Sequence, residues 1–171
     1  AVETILANAT RLKKLIGDLL DAHKLDLGKM KFDYKEVNVT ALLHQIENAF
    51  AHSKKEKEIE INVKIPESDL MLETDKDRIE QIITNLVYNA IDFVSKKTGK
   101  ITISAKSVDS SVEFSVTDNG EGIPLEKQKG LFEKFYQVDT TQTRKHGGTG
   151  LGLSICHGIV TQLGGTIAVD S

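Results

Sequence analysis

Three short stretches of this chain hold the residue types best suited to chemistry. In "NLVYNA", Asn85 and Asn89 stand four residues apart, and helical spacing would put both on one polar stripe with Arg78, Gln81 and Asp92. Asparagine is a poor helix former, so two of them beside apolar neighbours suggest side-chain amides directed at a ligand. Taken alone they read first as half-exposed side chains bonding to nearby loops. The second stretch, "DNGEGIP" from Asp118 to Pro124, is a common turn signal after a strand. It would also place a carboxylate at a strand end, able to accept from a ligand amino group, with Gly120 and Gly122 letting a flat ligand approach the backbone. The third, "HGGTGLGLSIC", puts Gly147, Gly148, Gly150 and Gly152 within seven residues and runs on into a helix-like stretch. Consecutive N–H groups in such a loop and at the following helix start form an anion site, and phosphate is the obvious anion.

Other phosphate motifs are excluded by inspection. No G-x-x-x-x-G-K-[ST] is present, Leu153 stands where a G-x-G-x-x-G starting at Gly148 would need its third glycine, and no H-R-D loop occurs.

Positioning these stretches requires alternating helices and strands. Val2, Ile5, Ala9, Leu12, Ile16, Leu19 and His23 recur at steps of three and four, with Leu6, Leu15 and Leu20 widening the stripe, as in a bundle helix ended by Gly28. His23 reads as a packing residue on that seam, and His44 and His52 as surface residues. One helix cannot bury such a stripe, so a partner helix from an upstream segment or a second subunit is expected. Residues 31–39 read as an extended linker. A helix is expected over 40–53, a strand at 59–65 stopped by Pro66, and a short strand at 70–73. Thr74 and Asp77 suggest a capping-box start for the helix carrying Ile79, Ile82, Ile83, Leu86, Ala90 and Val94 inward. Ile101, Ile103 and Ala105, then Val112, Phe114 and Val116, alternate as an antiparallel hairpin. A short helix near 125–136, a polar stretch at 139–146, a helix over 150–163 and a last strand at 166–169 complete the pattern. The fold class is α+β, a two-layer sandwich with a mixed, mostly antiparallel sheet covered by helices on one face, plus the N-terminal bundle-type helix.

The 171 residues are 39% hydrophobic and 27% charged with net charge −3, and the signs are interspersed, which argues against a surface built for nucleic acid or an anionic membrane. Cys156 is the single cysteine and reads as a small core residue, fitting a reducing compartment. No apolar run approaches the ~20 residues that span a bilayer. The chain opens at Ala1, without methionine and inside a helical pattern, and is expected to be a piece of something longer.

In this order the motifs resemble the ATP-binding domain of sensor histidine kinases, in the superfamily that includes gyrase, the ninety-kilodalton chaperone and the mismatch-repair ATPases. "NLVYNA" resembles the N box, "DNGEGI" the first glycine box, "LFEKFYQVD" the F box, "GGTGLGLSI" the second glycine box and "LGGTI" the final glycine motif. "RLKKLIGDLLDAHKLDLGKM" resembles the second helix of the dimerisation and phosphotransfer domain. The resemblance implies residues 1–28 as part of that domain, 29–39 as linker and 40–171 as the catalytic domain. It implies ATP and magnesium as ligands, with Asn89 on the metal, Asn85 assisting, and Asp118 accepting from the adenine amino group. Gly120, Gly122, Ile123, Phe132 and Tyr136 would contribute to the nucleotide site, with Phe93 stacking beside adenine. Gly148, Thr149, Gly150, Leu151, Gly152 and Leu153 would form the phosphate-wrapping segment, under a lid at 139–146. The γ-phosphoryl group would pass to a histidine on the protein's own upstream helix and then to the receiver domain of a response regulator. A homodimer through the N-terminal helix, a cytoplasmic domain and no nucleic-acid partner are further implications.

The pattern departs from many relatives at Asp92 and Gln137, where those carry phosphate-facing cations. Either Arg144, Lys145 or His146 supplies the missing charge or nucleotide binding is weak. ATPase members carry a glutamate as water-activating base one turn before the magnesium asparagine; here Asn85 stands there and cannot accept a proton, which favours kinase over hydrolase. The family's phosphoacceptor histidine precedes an acidic residue, and none of the chain's five histidines does, so this piece is expected to bind ATP without phosphorylating itself. The alternatives are a degenerate nucleotide- or partner-binding module without kinase activity, and a serine kinase of the anti-sigma type.

Overall fold

The computed structural model describes residues 2–138 and 148–171, which divide into two compact units. One unit runs from Phe32 to Ile123; the other combines residues up to Lys31 with Pro124–Ser171.

The Phe32–Ile123 unit contains β1 (Lys35–Asn38), α2 (Val39–Lys57), β2 (Glu60–Lys64), β3 (Met71–Thr74), α3 (Lys76–Phe93), β4 (Lys100–Val108) and β5 (Ser111–Asp118). β1 pairs antiparallel with β3, while β2 runs parallel to β4 and β4 antiparallel to β5. The α+β class and the β4–β5 hairpin match the sequence pattern. The sheet is mixed, as expected, but is divided into a two-stranded and a three-stranded piece. Residues 35–38, within the expected linker, form β1 because β3 offers them a ladder.

Ile101 and Ile103 of β4 are fully buried and Ala105 is 7% exposed, whereas Thr102 and Ser104 between them are half-buried. That period of two gives the sheet a helix-covered face and a polar face, where Ser104 and Ser115 hydroxyls share a hydrogen bond of 2.8 Å. Leu42, Leu43, Ile46 and Phe50 of α2, with Ile79, Ile82, Ile83, Val87, Ala90 and Ile91 of α3, supply the opposing layer. Val87 takes the inward place expected of Leu86, which is half-buried.

Asp75, not Thr74, caps α3. Thr74 ends β3 and is buried, while Asp75 Oδ1 accepts from Arg78 N at 3.1 Å and Oδ2 from Asp33 N at 2.8 Å. One buried carboxylate thus fixes the helix start and the chain entering β1.

The other unit contains α1 (Val2–Asp26), α4 (Leu125–Gln128) and α5 (Gly152–Gln162). Gly28 follows α1 with φ +62°, the left-handed stop expected of it. α1 packs on α5 near its C-terminal end, where Gly158 leaves room for Leu25: a Cβ on Gly158 would lie 2.9 Å from Leu25 Cδ1. Ala22 is buried in this contact region, but Val2, Ile5, Leu6, Leu12, Ile16, Leu19 and Leu20 are each more than half exposed. His23 is exposed with the rest of that stripe. His44 and His52 lie at the surface as expected. Helix over the expected 125–136 stretch stops at Gln128, and residues 166–169 form no strand, since no neighbouring chain pairs with them among the described residues. No described helix is long and apolar enough to cross a membrane.

Candidate functional site

In the Phe32–Ile123 unit, α3 carries Asn85 and Asn89 one turn apart, both half-buried, with the half-buried Asp92 and Phe93 at its end. Arg78 Nη1 donates to Gln81 Oε1 at 2.8 Å, so the stripe's N-terminal half is committed to its own side chains. The flanking residues Ile82, Ile83, Val87 and Ala90 are buried, and that anchoring sets the direction of the asparagine edge of the helix.

Asp118 ends β5, is exposed, and its Oδ1 accepts from Gly120 N at 2.7 Å. Asn119 ties this turn to the start of β4: its Oδ1 accepts from Lys100 N at 2.7 Å and its Nδ2 donates to Thr98 O at 2.9 Å. Gly120 lies against the end of α3, where a Cβ would come 2.8 Å from Phe93 O. The turn glycine therefore has a steric reason, and through it the Asp118 carboxylate is fixed beside the C-terminal end of the asparagine helix. Gly122 has φ +74°, a backbone angle side chains resist, and Ile123 is half-buried.

In the other unit, Gly148, Thr149, Gly150 and Leu151 lead into α5, which begins at Gly152. Gly150 has φ +69° and its carbonyl accepts from Phe135 N at 2.9 Å; a Cβ there would strike the Phe135 backbone at 2.8 Å. Gln137 Nε2 donates to Gly148 O, and Thr149 Oγ1 accepts from Leu151 N at 3.1 Å. Leu151 is buried and its carbonyl accepts both Ile155 N and Ser154 Oγ at 2.9 Å. Gly152 and Leu153 are half-buried at the helix start. Phe132 packs its ring 5.7 Å from that of His157, and Tyr136 lies over Gly130. Arg144, Lys145 and His146, with the expected lid at 139–146, fall outside the described residues.

Magnesium keeps several waters and takes one or two protein oxygens alongside phosphates, so a half-buried asparagine oxygen at Asn89 has the right hardness and accessibility for it.

One residue the motifs did not single out is Asp18 of α1. It is only 9% exposed. Burial raises its carboxyl above the usual carboxylate range, Lys14 and the Thr149 hydroxyl oppose that, and Asp21 adds to the rise. Its sequence signal is faint: an acid one turn before buried Ala22 marks a polar group near the packed face of α1.

The family described as "Histidine kinase-, DNA gyrase B-, and HSP90-like ATPase" matches residues 74–171. The hybrid signal transduction histidine kinase D of Dictyostelium discoideum is 37% identical over 99% of this chain, which spans 11% of its length. Among solved structures, full-length ShkA in complex with AMPPNP is 28% identical with TM-score 0.83, covering 99% of this chain and 35% of that one. A catalytic domain of histidine kinase ThkA is 33% identical with TM-score 0.66, covering 76% of this chain and 81% of that domain. ThkA in complex with the response regulator protein TrrA is 26% identical with TM-score 0.76, covering 99% of this chain and 46% of that one. Motif order, the α+β unit around α3 and these likenesses agree: the chain belongs to the histidine kinase-, DNA gyrase B- and HSP90-like ATPase family and carries the catalytic part of a histidine kinase.

Proposed function

We propose that this chain binds ATP with magnesium and presents the γ-phosphoryl group to a histidine elsewhere in the longer protein, for relay to a response-regulator aspartate. The observation that carries the reading is the fixing of Asp118 beside the end of α3 by Gly120, on the helix that bears Asn85 and Asn89. Asp118 accepts from the adenine amino group, Phe93 lies beside the base, and Gly122 and Ile123 border it. Phe132 and Tyr136 contribute to the nucleotide site, and Gly148 to Leu153 offer main-chain donors to the phosphates. Asn89, assisted by Asn85, would hold magnesium, which neutralises phosphate charge when bound. An amide at Asn85 takes no proton from water, so the nucleotide is preserved for a protein acceptor. Arg144, Lys145 or His146 supplies the positive charge that Asp92 and Gln137 do not.

Residues 1–28 belong to the dimerisation and phosphotransfer domain, 29–39 connect, and 40–171 form the catalytic domain. The exposed apolar stripe of α1 supports a homodimer through that helix, since leaving such a stripe in water is unfavourable. The complexes of ShkA with AMPPNP and of ThkA with the response regulator protein TrrA support an adenine nucleotide and a receiver domain as ligand and partner, and a cytoplasmic setting suits both.

The decisive experiment has two arms. Calorimetric titration of this chain with ATP should show magnesium-dependent binding, and its absence would remove the enzymatic reading. The longer protein, given labelled ATP, should acquire an acid-labile phosphoryl group. An acid-stable label would point to serine, and no label at all, with ATP bound, to a binding module.

A further inference from the structure

The register of the β4–β5 hairpin decides which face of the sheet carries Asp118. Ile103 stands opposite Val116 and Ile101 opposite Asp118, so Asp118 shares the face of the fully buried Ile101, the one covered by helices. A slip of one residue would turn its carboxylate to the polar face. Asp118 is on the last regular rung of the ladder, where a strand frays most readily. Asn119 closes one rung more, by a mixed route. Its main-chain N–H donates to Lys100 O at 3.2 Å, and its side-chain Oδ1 accepts from Lys100 N at 2.7 Å, in the place of the main-chain carbonyl that a regular strand would use. Nδ2 of the same amide donates to Thr98 O at 2.9 Å. Only one orientation of the amide satisfies both partners, because a main-chain N–H can only donate and a carbonyl only accept. The chain thus leaves the strand direction at Asn119, towards Gly120 and its contact with Phe93, without giving up the rung.

Thr98 belongs to a loop that is itself held. Gly99 N donates to Ser95 O at 2.8 Å just beyond the end of α3, Lys97 N to Glu58 O at 3.0 Å, and Glu60 N at the start of β2 to Gly99 O at 2.8 Å. The Asn119 amide therefore ties the Asp118 turn to β2, to β4 and to the end of the helix that bears Asn85 and Asn89.

We propose that Asn119 is the positioning residue for base selection: by closing the rung with Lys100 and holding Thr98, it keeps the Asp118 carboxylate on the α3 side of the sheet. This rests on the nucleotide reading above. Asn119 has no assigned contact with the nucleotide and acts on it through Asp118. Without the amide, the strand end at Asp118 loses two bonds and the carboxylate samples positions away from α3, so the bond to the adenine amino group weakens. Contacts to the phosphates and to magnesium do not run through this turn. Loss of Asn119 thus falls on the choice of base and spares the rest of the ligand.

The test is calorimetric titration of this chain, with magnesium, against ATP and, in parallel, inosine triphosphate, which lacks the amino group. Asn119→Ala should bind ATP about tenfold more weakly than the wild type, while its affinity for inosine triphosphate stays within about twofold. Asn119→Asp keeps the acceptor for Lys100 N and loses the donor to Thr98 O. Its preference for ATP should lie between those of the wild type and the alanine variant, and it carries the test if the alanine variant folds poorly. In an Asp118→Ala background, Asn119→Ala should change the preference no further. A wild-type preference in both Asn119 variants overturns the proposal and leaves the nucleotide reading standing. A loss shared equally by the two nucleotides, or an effect that persists in full without Asp118, overturns it as well, since either would show a merely structural role. A wild type that binds both nucleotides alike overturns the adenine assignment of Asp118 and this inference with it.

Discussion

Gly120 and Phe93 approach so closely that a single added carbon on the glycine would lie 2.8 Å from the Phe93 carbonyl oxygen and 2.8 Å from Asp118 Oδ1. Both contacts are with groups that cannot swing away freely, one being backbone and the other a carboxylate bonded to the same turn. Gly120→Ala should therefore push the turn off the end of α3. Overpacking of this kind costs about 1–3 kcal/mol, and urea unfolding would measure it. ATP affinity should fall in the same variant, and a variant that keeps wild-type affinity would show that the Asp118 position matters little.

Asp118 itself is exposed, so its removal should weigh more on ligand choice than on stability. The amino group of adenine is the feature it is proposed to read, and inosine triphosphate carries a carbonyl there instead. Wild-type protein should prefer ATP, and Asp118→Ala should lose most of that preference. A hydrogen bond to a charged group is worth about 1.5–3 kcal/mol, or roughly a ten- to hundredfold change in affinity. Equal discrimination in wild type and variant would place adenine elsewhere.

Asn89→Ala tests the metal assignment separately from nucleotide binding. For wild-type protein, ATP affinity with magnesium should exceed that in the presence of a chelator. In the variant the ratio of the two affinities should move towards one, while the chelator value stays close to wild type. A ratio unchanged by the substitution would take Asn89 off the metal.

Asp75→Ala removes two charge-assisted bonds at once, to Arg78 N and to Asp33 N, from a residue only 7% exposed. Loss of the cap and of the bond entering β1 should destabilise the unit by about 2–3 kcal/mol. Urea unfolding would show it as a lower midpoint with unchanged slope. Thr74→Ala should leave the cap intact, because Thr74 ends β3 and does not cap α3.

Asp18 predicts a pH dependence with a definite sign. Burial is the largest influence on its carboxyl and raises it, Asp21 adding to the rise, with Lys14 and Thr149 opposing. The folded state then keeps the proton to higher pH than the unfolded chain, so stability is lost as pH rises through that interval. Below the ordinary carboxylate range both states are protonated and Asp18→Asn should match the wild type. Towards neutral pH the asparagine variant should become the more stable of the two in urea unfolding. The reverse ordering would mean that the attraction of Lys14 and Thr149 outweighs burial.

Local chemistry in the sequence determined a good deal of this protein. Alternation along β4 and β5, the period of α3 and the glycine after α1 depend on neighbours a few residues away, so the elements and the motif order were legible. The sequence also placed Asn85, Asn89 and Asp118 in helix, helix and strand end. Tertiary structure decided what depends on packing between distant segments. Residues 35–38 became a strand only because β3 supplies a ladder, and residues 166–169 did not form one for want of a pairing neighbour among the described residues. His23 and Leu86 had the right period for burial, but periodicity names a face and not what covers it. Asp18 shows the same limit most clearly: nothing local distinguishes it from other acids on α1. It is buried because α1 packs against a helix well over a hundred residues later in the chain, a neighbour that nothing near Asp18 in the sequence announces.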